Sequence, residues 1–271
     1  VKLCAREADC SPEELKQGVD SILLAIDNSV SGYNPSSLLS RFNAGEDVRP
    51  DAVFRELYLR SRELWEMSGG AVDVAAGPLF DIWGFGFREG TLPSDSLVSA
   101  VSARCGMELL PADVDSLFAC RPKGTVLNFN CIAQGYSSDC IAGYLRSRGV
   151  RDFLVDVGGE IVCEGVNPGG ENWAVGIDRP VDGNFTPGRD LEGVYRPLRS
   201  PCGIVTSGNY RKFYLVDGRK YSHTIDPRSG RPVSHSLLSA TVVAPDATLA
   251  DGIATYCMVA GLEEASRFIE E

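Results

Sequence analysis

The chain has 271 residues, 44% hydrophobic and 23% charged, a balance that suits a globular protein with a sizeable core. Its formal net charge of −11 gives nucleic acid and anionic membranes no general attraction, so an anionic ligand needs local donors or a bound cation. No apolar run approaches the roughly 18–20 residues that span a bilayer, and the opening on Val1 leads us to expect a trimmed or mature form whose targeting peptide or lipid anchor has been removed.

The stretch "SGYNPSSLLSRFNAGE" places Tyr33 before a turn at Asn34-Pro35, followed by Arg41 and Asn43. Asp51 follows Pro50 and precedes a helical pattern with Val53, Leu57, Leu64, Trp65 and Ser68 on one side. "GGAVDVAAGPLFDIWGFG" then combines a Gly pair, Asp73 and Gly77-Pro78 with the aromatics Phe80, Trp83, Phe85 and Phe87, which either pack in the core or bound a planar ring. Cys131 to Arg148 is predicted as a helix, because Ile132, Tyr136, Cys140 and Tyr144 recur every four residues and Gly149 supplies a stop. It lies between the strand-like runs "TVLNFN" and "DFLVDV", giving strand–helix–strand.

Further on, "EIVCEGV" and "WAVGID" read as strands, and Arg179 to Pro201 as an irregular Pro/Gly-rich loop. "RKFYLVDGRKYSHTI" reads as a hairpin around Asp217-Gly218, "LLSATVVAP" as a strand, and a last helix begins near Thr248. Strands gather in the C-terminal half and helices interleave unevenly, which favours an α+β fold over a regularly alternating parallel sheet.

Several places carry possible chemistry. Asp251 and Thr255 lie four apart on the last helix and share a face, so a carboxylate and a hydroxyl are presented together as hard oxygen ligands suited to Mg²⁺. An Asp near a helix start, with a Thr packed beside it, would have the same spacing. Gly158-Gly159 after a buried-looking strand permits close approach of a ligand or of backbone, and Thr206, Ser207 and Gly208 offer hydroxyls and N–H groups to a phosphate or to a turn. The chain has two histidines, and one of them, His223, stands three residues before Asp226 in "KYSHTIDPRSGRPV"; its imidazole could accept a proton, touch a ligand or hold structure. Nine cysteines without metal-ligand spacing read as buried free thiols.

Seven blocks, in order, resemble the FAD:protein FMN transferases, the ApbE family: "SGYNPSSLLSRFN", "GGAVDVAAGPLFDIWGFG", "LNFNCIAQGYSSD", "LVDVGGEI", "TSGNYRKF", "YSHTIDPRSGRPV" and "VVAPDATLADGIATYCMVAG". The resemblance spans nearly the whole chain. It implies a single flavin transferase domain over 1–271, built as two α+β lobes, T-fold-related, with mixed sheets and packed helices around a central FAD cleft. It also implies an Mg²⁺-dependent enzyme that splits FAD, releases AMP and attaches FMN to a Thr or Ser of an acceptor protein, a subunit of an ion-pumping redox complex. The alternatives are an FAD pyrophosphatase and a flavin-binding protein without turnover. The expected location is the periplasmic face of the inner membrane, by way of a lipid anchor.

Carried over by position, Asp251, Thr255 and the carbonyl near Cys131 correspond to metal ligands. Tyr33, Ala71, Val72, Asp73, Asn128, Gln134, Ser207, Thr224 and Ile225 correspond to FAD contacts. His223 corresponds to the functional histidine, with Asp226 orienting the loop or the imidazole, and Arg228 is either a phosphate partner or a solvated loop residue. Asn128 and Gln134 stand where many family members have Asp and Lys, so hydrogen bonds to FAD would be retained with less charge-assisted strength.

Overall fold

Helices dominate the first half of the chain and strands the second. A computed structural model describes residues 2–3, 11–85, 92–181, 184, 186–209, 213–216 and 219–270, with side chains of 3 and 213–222 excepted. The helices are α1 (Pro12–Val30), α2 (Leu38–Asn43), α3 (Ala52–Met67), α4 (Gly77–Ile82), α5 (Asp95–Ser102), α6 (Val114–Cys120), α7 (Ala133–Ser147) and α8 (Ala247–Glu270), the last interrupted by a kink at Gly261, whose φ is 78°. The strands are β1 (Lys2–Leu3), β2 (Phe153–Val157), β3 (Glu160–Glu164), β4 (Val175–Asp178), β5 (Leu191–Tyr195), β6 (Cys202–Gly208), β7 (Phe213–Val216), β8 (Arg219–Ser222), β9 (Ile225–Asp226), β10 (Arg231–Pro232) and β11 (Ser239–Ala244).

The chain divides into two compact units. The first contains Val1–Leu24, Gln134–Arg211 and Leu237–Met258; the second contains Ala25–Ala133, Lys212–Ser236 and Val259–Glu271. The first unit is organised by a five-stranded sheet in the order β1-β2-β3-β6-β11, and every pairing in it is antiparallel. Period-2 alternation sends neighbouring residues of β2 to opposite faces. Phe153 and Val155 join Ile141 and Leu145 of α7 and Ala250 and Ala254 of α8 in one core cluster. Leu154 joins Cys163, Cys202, Trp173 and Val175 in another. Gly203 of β6 is needed for close approach rather than for conformation: a Cβ there would lie 2.3 Å from the carbonyl carbon of Asp246, just before α8. The cysteines among the described residues are free thiols.

In the second unit Asp51 caps α3 by accepting the Phe54 N–H at 2.8 Å and also accepts the Ser29 hydroxyl, which fixes the start of the helix predicted there. Phe80, Trp83 and Phe85 take the packing role: together with Leu79, Val98 and Ile225 they form a core cluster. Phe87 lies outside the described residues. The pair β7–β8 is antiparallel, with Val216 opposite Arg219, as the hairpin reading requires; Asp217 and Gly218 lie outside the described residues.

Two sequence expectations are corrected. "TVLNFN" belongs to no strand. Its alternation is satisfied by burial of Leu127 and Phe129. Its backbone is clamped instead by the Asn43 side chain, which accepts the Leu127 N–H and donates to the Leu127 carbonyl, both at 2.9 Å, while the Asn128 N–H donates to Val74. The backbone groups are paired without a ladder. Second, the loop expected from Arg179 to Pro201 contains β5, which pairs with β4.

Candidate active site

The best-defined part of the site lies in the first unit, where α7 crosses the start of α8. Gly135 allows this crossing, since a Cβ on it would fall 2.3 Å from the Ala247 carbonyl oxygen and 3.0 Å from the Asp251 Cβ. The Gly135 N–H donates to Asp251 Oδ2 at 3.1 Å. Asp139, one turn further along α7, accepts the Ala247 and Thr248 N–H groups at 2.9 and 2.8 Å and so caps α8 from outside its own sequence. Asp251 is thereby held at 4% exposure, and Thr255 is partly buried one turn later on the same helix. Burial, and next the charge of Glu160, hold the Asp251 carboxyl well above the usual carboxylate range.

Glu160 was not singled out by its sequence position. It opens β3 directly after the Gly158-Gly159 turn, and its main-chain carbonyl accepts the Ser138 hydroxyl at 2.6 Å. Its Oε2 is buried with no hydrogen-bond partner among the described residues, and burial raises its pKa to about 7. Gly158 has φ 71°, a conformation glycine adopts without strain, and Gln134 Nε2 lies 2.3 Å from where its Cβ would be. Gln134, Gly158, Glu160 and Asp251 are therefore neighbours in one corner. Ser207 lies on β6 opposite Ala240 and is partly buried.

The remaining expected residues belong to the second unit. Tyr33 is 72% exposed, and its hydroxyl accepts from Asn130 Nδ2 at 3.3 Å. It projects from a loop braced by Asn34, which donates to Asp27, and by Ser37, whose hydroxyl donates to the Ser31 carbonyl. Asn128 Oδ1 accepts the Asn130 N–H at 2.9 Å, a bond an Asp would also make. Cys131 is partly buried. Ala71 and Val72 are buried, so any ligand contact from them is a main-chain one. Asp73 caps the turn at Val74–Ala76 through Ala75 and accepts the Met107 N–H at 3.0 Å; burial pushes its pKa to about 6.

His223 is partly buried, edge-on to Phe85 with ring centroids 6.4 Å apart. Thr224 accepts the Val233 N–H, and Ile225 is core. The Asp226 carboxylate is engaged by Arg228, whose backbone N–H and Nε both donate to Oδ1 at 2.9 Å, while Arg228 also reaches Glu264 at 2.7 Å. Asp226 thus shapes the loop, which is one of the two roles expected of it. Hydrogen bonds to Glu264 and then Asp226 raise the Arg228 pKa further, so Arg228 is an ion-paired residue rather than a solvated one. Gly230, with φ 68°, closes the turn and accepts the Trp83 indole N–H on its carbonyl at 2.9 Å.

A carboxylate and a hydroxyl on one helix face are hard oxygen donors, and a neutral imidazole can accept a proton. The chain belongs to the ApbE family, whose model matches residues 1–271. A Vibrio cholerae protein named FAD:protein FMN transferase is 33% identical over 276 residues, covering 100% of this chain and 80% of the relative. An Escherichia coli K12 protein of the same name is 33% identical over 274 residues, covering 94% and 74%. The apo crystal structure of Pseudomonas stutzeri flavinyl transferase ApbE superposes with a TM-score of 0.84 at 34% identity, over 98% of this chain and 82% of that one.

Among the described residues, no three His, Cys, Asp or Glu side chains sit close enough to cage a metal ion by themselves. A cation of the Mg²⁺ type does not need such a cage, because it keeps waters and uses one or two carboxylates with substrate phosphates. The α7–α8 corner fits that mode: Asp251 is buried against the charge of Glu160, and a cation would relieve the cost of both.

Proposed function

We propose that the chain is an FAD:protein FMN transferase that joins FMN to a Thr or Ser hydroxyl of an acceptor protein through a phosphoester and releases AMP. The whole-chain match to relatives of that name carries the reading. In the reaction the acceptor oxygen bonds to the phosphorus of the FMN half of FAD. The bond from that phosphorus to the bridging oxygen breaks, and the bridging oxygen leaves with AMP. His223 takes the hydroxyl proton, a role suited to a neutral imidazole. Asp226 and Arg228 fix the loop that carries His223. Tyr33 offers an exposed ring to the flavin, Ala71, Val72 and Thr224 offer backbone groups, and Asn128, Gln134 and Ser207 offer neutral hydrogen-bonding side chains.

Asp251 and Thr255, with a main-chain oxygen near Cys131, would hold Mg²⁺. When bound, the cation would screen the charge on the phosphoryl oxygens and on the leaving AMP. The acceptor is a flavin-bearing subunit of an ion-pumping redox complex, and the setting is the periplasmic face of the inner membrane, reached by a lipid anchor. Incubation with FAD, Mg²⁺ and an acceptor domain, read by mass spectrometry, tests the chemistry. FMN on the acceptor with AMP in solution is the expected result. FMN and AMP both in solution would make the protein a pyrophosphatase, and unchanged FAD a flavin-binding protein.

A further inference from the structure

Glu160 is a partly buried acid that the proposed reaction leaves without work. Among the described residues its Oε2 has no hydrogen-bond partner, and the atom is buried. An unpartnered buried carboxylate oxygen is expensive, and a fold that only needed to fill this space would do so better with an apolar or amide side chain. The surroundings make the cost larger rather than smaller. Asp156 raises the Glu160 pKa through its charge, and Glu160 in turn raises that of Asp251.

The position is also fixed. The Gly158-Gly159 turn sets where β3 begins, Gln134 packs over Gly158, and the Ser138 hydroxyl pins the Glu160 carbonyl at 2.6 Å. A carboxylate held on a rigid support beside other acids is an arrangement that a cation would stabilise. Among the described residues Glu160 and its acidic neighbours form no three-residue cage, so Glu160 and Asp251 would act on a cation as a pair of acids rather than as part of a closed protein site.

We infer that Glu160 is a positioning residue for the divalent cation, its enclosed carboxyl oxygen and its place beside Gly158 and Gln134 helping to set the corner in which Asp251 would hold the ion. The inference rests on the reading of Asp251 as a metal ligand. Residues that support metal ligands tune metal affinity by about 10–100-fold.

The test measures Mn²⁺ binding to the whole chain by electron paramagnetic resonance, with FAD present and absent, for the unsubstituted protein and Glu160→Gln. Thermal unfolding in chelator accompanies it. We expect Glu160→Gln to bind Mn²⁺ about 10-fold or more weakly, and to melt no lower than the unsubstituted protein, because an amide removes a buried charge without changing shape. Unchanged Mn²⁺ affinity in the variant, with normal binding in the unsubstituted protein, overturns the role of Glu160 alone. A lower melting temperature with unchanged affinity makes the residue structural and also overturns it. Failure of the unsubstituted protein to bind Mn²⁺ even with FAD overturns the metal reading itself, and Glu160 with it.

Discussion

Asp251 and Asp226 are both carboxylates of the expected active site, but they are held differently. Asp251 lies at the α7–α8 crossing with one backbone N–H as its described donor and the like charge of Glu160 nearby. Asp226 lies on the loop after His223 with a guanidinium bonded to it, and that guanidinium has a second carboxylate in Glu264. The first corner makes ionisation of its acids costly, because burial and a neighbouring acid raise their pKa, whereas the second neutralises its charge internally. Acids that are costly to ionise in a buried corner would be ionised at less cost by a bound cation; a closed ion-pair set calls for nothing more than its own geometry. The difference assigns electrostatic work to the first region and loop-shaping work to the second.

The sharpest way to break this contrast is Asp251→Asn. We expect transfer of FMN to an acceptor domain to fall by at least about 100-fold, since a cation site supplies several kcal/mol of charge stabilisation. The same variant should unfold at a higher temperature in chelator, because it removes a buried charge. Undiminished Mg²⁺-dependent transfer would take Asp251 out of the reaction. Next in size is Gly135→Ala. Its Cβ would fall 2.3 Å from a backbone oxygen that cannot swing away. We expect a loss of about 1–3 kcal/mol in urea unfolding, together with weaker metal binding as α8 is pushed off. A loss below about 0.5 kcal/mol would mean that the crossing is soft.

A pH series compares the two units by their own acids. Glu160 has a folded pKa of about 7 against 4.5 for the free side chain, and Asp73 about 6 against 3.8, both raised chiefly by burial. A raised acid binds its proton more tightly in the folded state. It therefore contributes stability that is present at low pH and lost as pH rises from the unfolded to the folded value. In chelator, stability should decline between about pH 4 and pH 7, and Glu160→Gln should flatten the upper part of that decline while leaving the Asp73 part. A decline of the same size in the variant would show that Glu160 is not the group responsible.

Much of this was readable in the sequence where the signal is local. The four-residue spacing of Asp251 and Thr255 defines one helix face wherever the helix packs, and Pro227 and Gly230 announce the turn. The α+β class follows from the order of strands and helices. "TVLNFN" misled because burial of Leu127 and Phe129 imitates strand alternation, and the partner that replaces a ladder, Asn43, is 84 residues away. The strand at Leu191–Tyr195 was hidden among glycines and prolines that end other elements. Glu160 was invisible for a different reason. A Glu after a Gly pair looks like ordinary strand polarity, and only packing reveals that one of its oxygens is enclosed without a partner.

The smallest effect belongs to the loop, and it tests whether its charges are as self-contained as they look. Arg228→Gln removes the cation between Asp226 and Glu264, whose side chains are 21% and 38% exposed. Ion pairs open to solvent contribute about 1 kcal/mol or less, and salt screens them further. We therefore expect a stability loss below about 1 kcal/mol that shrinks in high salt. Transfer should slow only modestly, through a looser His223 loop, and the KM for FAD should stay within about twofold, because a guanidinium already shared by two carboxylates has little left for a phosphate. A large rise in KM for FAD would show that Arg228 leaves its partners when substrate binds. The loop would then carry charge to the pyrophosphate, and the division of labour between the two regions would fail.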